Sequence, residues 1–218
     1  MKRILINAAH QEEIRIAVAN GQYLEDLIIS GFIEREYTWS LQSGKESKLS
    51  KYRIRDNYLR YYLKFILPSL RQIKKGLFKS TSPFNMHGWE GIIGLQFESL
   101  VLNNRPSIWK SLGLRIEDII FENPYFQSKT SKQAGCQVDY LIQTRFKNLY
   151  VCEVKFSHKP ISVDVIRAME KKFAALKIPK GFSCLPVLIH FNGITRDVKE
   201  SIFFTQIIDF SENLTTSF

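Results

Sequence analysis

The sequence predicts an α/β fold, a central mixed sheet flanked by helices, and three observations carry that expectation. Apolar runs of strand length recur from Ile116 onward, an amphipathic helix separates two of them, and two further helical patterns precede the series. The chain has 218 residues, 44% hydrophobic and 24% charged, enough for one ordinary domain or two small ones with a buried core.

Met1 to Ile6 runs basic and then apolar, but Asn7, His10, Glu12 and Glu13 interrupt it before a secretory core forms. No run of about 18 apolar residues occurs, so no membrane span is expected and a cytoplasmic location is the reading. From Leu24 the pattern gives a short helix, a turn at Gly31, a strand Phe32 to Trp39, a polar loop Gln42 to Leu49 and a strand Lys51 to Ile54. A helix followed by two strands joined by a Lys-, Ser- and Gly-rich loop has the form of a winged-helix wing. The helices that precede such a wing are missing, so residues 28–55 read as a partial winged-helix segment.

Asp56 is placed to cap the next helix, because a carboxylate there accepts N–H groups of the first turn. Tyr58, Tyr61, Tyr62, Phe65 and Ile66 recur at helical spacing, Arg60 and Lys64 fall on another face, and Pro68 is expected to limit the helix. Residues 56–86 then form a basic connecting helix and linker. After the loop Ser80 to Gly88, Trp89, Ile92, Ile93, Gln96, Phe97, Leu100 and Val101 mark a second amphipathic helix, with Glu98 beside the stripe and partly turned inward. Residues 87–210 form the main domain, and 211–218 are a tail. Within that domain, strands are expected at Ile116 to Phe121, Cys136 to Thr144, Leu149 to Phe156, Val187 to Phe191 and Gln206 to Phe210. A crossover helix from Ser162 to Lys177 would bury Val165, Ile166, Met169, Phe173 and Leu176.

Net charge is +10, and Leu41 to Lys79 concentrates it, with eleven Lys or Arg against Glu46 and Asp56 alone. Charge gathered this way suits a polyanion, with a solvated helix face as the plain alternative. Lys51, Arg53, Arg55, Arg60, Lys64, Lys74 and Lys75 are the candidate nucleic-acid contacts. An anionic membrane surface fits less well, since the aromatic side of that helix is explained by packing. Cys136, Cys152 and Cys184 are an odd set without metal-ligand spacing, so neither a disulfide framework nor structural zinc is expected.

Two successive strands carry the chemistry. With side chains alternating, Gln137, Asp139 and Leu141 share one side of the first, and Val151, Glu153 and Lys155 share one side of the second. If the turn centres on Phe146, Asp139 lies opposite Glu153, with Cβ atoms roughly 4.5–5.5 Å apart. Two carboxylates so placed among apolar neighbours need a shared proton or a cation, and a hard ion such as Mg2+ or Mn2+ takes oxygen ligands. Lys155 would point into the same site, where its ammonium could stabilise developing negative charge or orient a water. Phosphodiester hydrolysis uses such a set. The plain alternative is a surface hairpin in which Glu153 and Lys155 simply pair.

Asp139, then Glu153-Val154-Lys155, with Glu98 in an upstream helix, resembles the PD-(D/E)XK nuclease motif of restriction endonucleases. Tyr52-Arg53-Ile54-Arg55-Asp56-Asn57-Tyr58-Leu59-Arg60-Tyr61-Tyr62, Gly94-Leu95-Gln96-Phe97-Glu98, Val138-Asp139 and Cys152-Glu153-Val154-Lys155 resemble the C-terminal region of archaeal-type AAA ATPases. There a P-loop domain precedes a winged helix and a nuclease-like domain. The resemblance implies a restriction-endonuclease-like mixed sheet, Glu98, Asp139 and Glu153 as metal-binding acids, and Asp139, Glu153 and Lys155 as the catalytic set. Val138 stands where the motif usually has Pro, and Gln137 is a further candidate contact to water or phosphate. No Gly-x-x-x-x-Gly-Lys-Ser/Thr occurs, so ATP hydrolysis is not expected. Separately, Met1 to Ala8 with Glu12-Glu13-x-Arg15 and Gly21 resembles the extreme N-terminus of the ribonuclease E/G family, over residues 1–27 and without that family's catalytic body. The expectation is a Mg2+-dependent DNA nuclease domain, a homodimer if both strands are cut. The alternative is a catalytically inactive nucleic-acid-binding or regulatory module.

Overall fold

The computed structural model describes residues 21–77, 86–131 and 133–215. The ribonuclease-like match before Gly21, most of the loop Ser80 to Gly88 and the end of the tail lie outside the described residues. The chain forms two compact units, each built from separated stretches: one holds residues up to Glu36 and Leu49–Gln96, the other Tyr37–Lys48 and Phe97 onward. The hairpin read as a wing is thus divided, its base in the first unit and its tip in the second.

In the first unit, helix α1 (Gly21–Ile29) ends in a turn where Gly31 takes φ 73°, a left-handed conformation that glycine adopts without strain. Leu24 and Leu27 pack with Ile33, Ile54 and Leu63, which joins that helix to the hairpin strands β1 (Ile33–Ser40) and β2 (Lys45–Ile54). The polar loop is shorter than expected, because β2 begins at Lys45. The Asp56 carboxylate accepts the Leu59 N–H and caps α2 (Asn57–Tyr61), as the sequence indicates. Pro68 does not end the helix. The chain widens into a π-helical segment (Tyr62–Ile66) and continues as α3 (Leu67–Lys74), with Pro68 in its first turn. Proline lacks an N–H and crowds the carbonyl four residues back, and the wider turn accommodates both.

In the second unit a five-stranded sheet has the order β3-β4-β5-β6-β7. The strands are β3 (Ile119–Gln127), β4 (Cys136–Thr144), β5 (Asn148–Phe156), β6 (Ser183–Phe191) and β7 (Gln206–Asp209). The first three pair antiparallel and the last three parallel, so the sheet is mixed and the fold α/β, as predicted. Ile116–Asp118 is a 3-10 turn rather than the start of a strand, since β4 runs out at Thr144, opposite Ile119. The strand continues through Pro124, which the ladder tolerates because β3 is an edge.

Two cores flank the sheet. On one face Leu141, Val151 and Leu188 pack with Val165, Met169 and Leu176, contributed by and just beyond the crossover helix. On the other, Tyr140, Ile142, Cys152 and Val154 pack with Phe97, Val101 and Leu102 of α4 (Trp89–Asn103) and Ile108 of α5 (Arg105–Ser111), a short helix the sequence reading did not separate. The crossover helix is α6 (Asp164–Ala175). Cys136, Cys152 and Cys184 are free thiols. Among the described residues no helix is long and apolar enough to cross a membrane.

Candidate functional site

The β4–β5 hairpin positions the acids. Its pairs are Tyr140–Cys152, Leu141–Val151, Ile142–Tyr150 and Gln143–Leu149, the register that a turn centred on Phe146 sets. Against β3, however, Asn123 pairs with Leu141 and Tyr125 with Val138, so β4 spends one residue more than its neighbour. This bulge falls on Asp139 and Tyr140, and it breaks the alternation: Val138 and Leu141 both reach the core under α6. Gln137, expected to share a side with Asp139 and Leu141, is exposed instead.

The bulge also changes what Asp139 does. The β4–β5 ladder stops at Tyr140–Cys152, and beyond it the Asp139 Oδ2 accepts the Val154 N–H at 3.0 Å. A side-chain oxygen takes the place of a backbone carbonyl. Glu153, one residue earlier on β5, is almost fully enclosed, with 2% of its side chain exposed. It points to the α6 face because its neighbours Cys152 and Val154 belong to the opposite core.

A residue the sequence reading missed joins the two acids. Lys172, in the last turn of α6, places its Nζ 3.2 Å from Asp139 Oδ1 and in contact with Glu153 Oε2. Lys155 pairs with the other Glu153 oxygen, Oε1, at 3.0 Å, while leaving 47% of its side chain exposed. Two carboxylates and two ammonium groups therefore form a neutral chain, Asp139–Lys172–Glu153–Lys155. The last turn of α6 is held by its own contacts: the Cys136 thiol donates to the Lys172 carbonyl, and the Gln127 amide donates to Ala175 O at 2.6 Å and Ala134 O at 2.7 Å. A signal for Lys172 existed in the sequence. It lies seven residues after Val165 and three after Met169, on the stripe that packs against the sheet.

Burial, followed by the charge of Glu153, raises the Asp139 carboxyl above its ordinary pKa, with Lys172, the Val154 N–H and Lys155 acting the other way. Burial disfavours the Lys172 ammonium, but Asp139 and Glu153 together outweigh it and hold its pKa above the usual lysine value. Cation and anions are thus interdependent. Asp139 Oδ1 and Glu153 Oε2 converge on one point occupied by a positive charge, and hard oxygen donors around one cation position fit Mg2+ or Mn2+.

Glu98 is not part of this group. It sits on α4, whose buried residues pack on the other face of the sheet, and among the described residues no three His, Cys, Asp or Glu side chains gather to hold a metal. Two of the proposed nucleic-acid cations are corrected. Arg60 is buried, donating to Ile54 O and to Asn57 Oδ1 at 3.1 Å, and Arg53 pairs with Glu36 at 2.6 Å and Glu34 at 3.1 Å. Both guanidiniums are engaged within the first unit and are not surface contacts. Arg55, Lys74 and Lys75 are exposed, whereas Lys51 and Lys64 are half-buried.

On the far side of β5, His190 of β6 stands level with Lys155 in the parallel register, and Asp209 of β7 stands level with His190. His190 is buried, its Nδ1 has no hydrogen-bond partner among the described residues, and burial lowers its pKa against the opposing charges of Asp209 and Glu212.

No family model matches the chain, and no solved structure matches it. An uncharacterized protein of Methanocaldococcus jannaschii is 38% identical over 56 residues, a match that covers 26% of this chain and 12% of that protein.

Proposed function

We propose that the second unit is a metal-dependent nuclease domain that hydrolyses phosphodiester bonds in DNA, on a PD-(D/E)XK scaffold akin to the C-terminal domain of archaeal-type ATPases. One observation supports this above the others: Asp139 and Glu153, from adjacent strands, converge on a single cation position with the Lys155 ammonium alongside. Asp139 and Glu153 would hold Mg2+ or Mn2+. When bound, the ion supplies Lewis-acid polarisation of the phosphate and lowers the pKa of a coordinated water.

The protein's own groups do the remaining work. The bulge turns the Asp139 carboxylate out of the ladder, and the Val154 N–H fixes its second oxygen, so its first is directed at the cation position. The Lys155 stem leaves the sheet half-exposed, where its ammonium can meet a phosphate oxygen and offset the charge that grows in the transition state. Arg55, Lys74 and Lys75 are exposed cations suited to the DNA backbone.

Supercoiled plasmid incubated with the purified protein and Mg2+ should be nicked or linearised. Cleavage should vanish in EDTA and fall to background in Asp139→Asn of unchanged circular dichroism. Nicks alone indicate a single acting site, and linear product indicates two copies acting together. Failure to cleave with either Mg2+ or Mn2+ rejects the reading.

A second reading has its own observation. Lys172 and Lys155 together already neutralise both acids, as in a scaffold that binds nucleic acid without turnover. It requires equal gel shifts of DNA by wild type and Asp139→Asn, with no product.

A further inference from the structure

Lys172 occupies the point that a metal ion must take. Its Nζ lies 3.2 Å from Asp139 Oδ1 and touches Glu153 Oε2. Mg2+ binds carboxylate oxygens at about 2.1 Å, so an ion held by those same two oxygens cannot coexist with an ammonium already wedged between them. Charge leads to the same exclusion. The site is neutral with both lysines in place, and adding a divalent ion without removing one would leave two uncompensated positive charges in a nearly enclosed space.

Of the three groups that meet at this point, Lys172 is the one able to leave, and departure of the more exposed Lys155 from Glu153 Oε1 would not vacate it. Glu153 is 2% exposed on a strand paired on both sides, and Asp139 is tied to the Val154 N–H. Lys172 is 22% exposed, at the end of a helix, on a flexible four-carbon stem whose compact ammonium hydrates well. Its carbonyl stays held by the Cys136 thiol, so departure needs rotation of the side chain only.

We infer that Lys172 is an exchangeable internal counter-ion: it holds the carboxylate pair when metal is absent, and a divalent cation entering between Asp139 and Glu153 displaces its ammonium to solvent. This rests on the proposed metal site but adds a competition that the site itself does not require. The acids never face one another unneutralised, which keeps the sheet intact before metal arrives. The same lysine weakens metal binding, so the site loads only at cation concentrations sufficient to expel it. With Lys172 gone the loaded site carries one net positive charge, which a phosphodiester would cancel.

The test uses the whole chain and Mn2+ or Mg2+ alone. Calorimetric titration should give Mn2+ affinity at least about tenfold higher for Lys172→Met, because the variant no longer competes. Lys172→Gln, which keeps a neutral polar side chain, should behave likewise and serves if the methionine variant folds poorly. In the wild type, acetylation of Lys172 by an amine-directed reagent, followed by peptide mass spectrometry, should accelerate several-fold at saturating Mg2+. Tighter binding by the variants supports the inference, even if wild type binds too weakly to measure. If wild type binds Mn2+ and cleaves DNA, while the variants bind no tighter and Lys172 stays protected, the inference is overturned and the nuclease reading survives. If neither wild type nor variant binds metal, both fall.

Discussion

At the scale of single residues, the most exacting requirement is a counter-charge for Glu153 inside a nearly closed space. Removing one partner of a buried ion network costs more than that partner contributes, since without Lys172 the two acids share only Lys155 and one negative charge is left uncompensated. In EDTA at pH 7, Lys172→Met should lose about 3 kcal/mol or more, read from urea denaturation. The loss should shrink as pH falls toward the ordinary carboxylate range. Asp139, already raised by burial and by Glu153, then takes up a proton and the unneutralised charge disappears. His190 supplies the opposite sign. Burial depresses its pKa, so the unfolded chain binds a proton near pH 6.5 that the folded protein refuses. Its contribution is present in full above pH 6.5 and is lost as pH falls through the lowered value. Thermal melts between pH 7.5 and 5.5 should therefore decline more steeply for wild type than for His190→Phe; parallel curves would show that His190 is not the group responsible.

At the scale of elements, the hairpin tip is held by Trp39. Its Nε1–H donates to Gln143 Oε1 at 2.6 Å, its ring stacks on Phe121 at 5.4 Å, and Tyr125 meets it edge-on at 5.2 Å. Trp39→Ala should cost about 3–5 kcal/mol in chemical denaturation, and Trp39→Phe about 1–3 kcal/mol, chiefly from the stranded Gln143 carbonyl. Elements governed by local rules were legible in the sequence. The β4–β5 register follows from the turn, the Asp56 cap from its carboxylate, and the buried stripe of α6 from its period. What was hidden depends on neighbours far along the chain. Strict alternation placed Gln137 beside Asp139, but the bulge arises against β3, a strand whose extent through Pro124 was unforeseen. Lys172 falls at the same helical period as Val165 and Met169 but was not among the residues expected to face inward, and only the sheet decides that this position meets two acids. Counting cations could not show that Ile54 O and Glu36 engage Arg60 and Arg53.

At the scale of the whole molecule, an excess of ten positive charges over 218 residues favours polyanions through released counter-ions, whatever their sequence. Filter binding of duplex DNA at increasing KCl should give a steep linear decline in log affinity. Replacing Arg71, Lys74 and Lys75, all exposed, by Gln should reduce the slope by up to about 0.9 for each phosphate that is no longer neutralised. A slope unchanged in that triple variant would exclude these three residues as the proposed DNA contacts.

Because the hairpin tip belongs to the second unit, that unit's material is drawn from a stretch inserted within the first and from the chain that follows it. During synthesis Trp39 leaves the ribosome more than a hundred residues before Gln143, so the tip must wait, its indole uncovered, until β4 arrives. Any expression clone cut at the apparent start of the sheet domain would delete that indole and leave a hole where Phe121 and Tyr125 should be covered. An insoluble product from such a clone would report the missing plug rather than an unstable sheet.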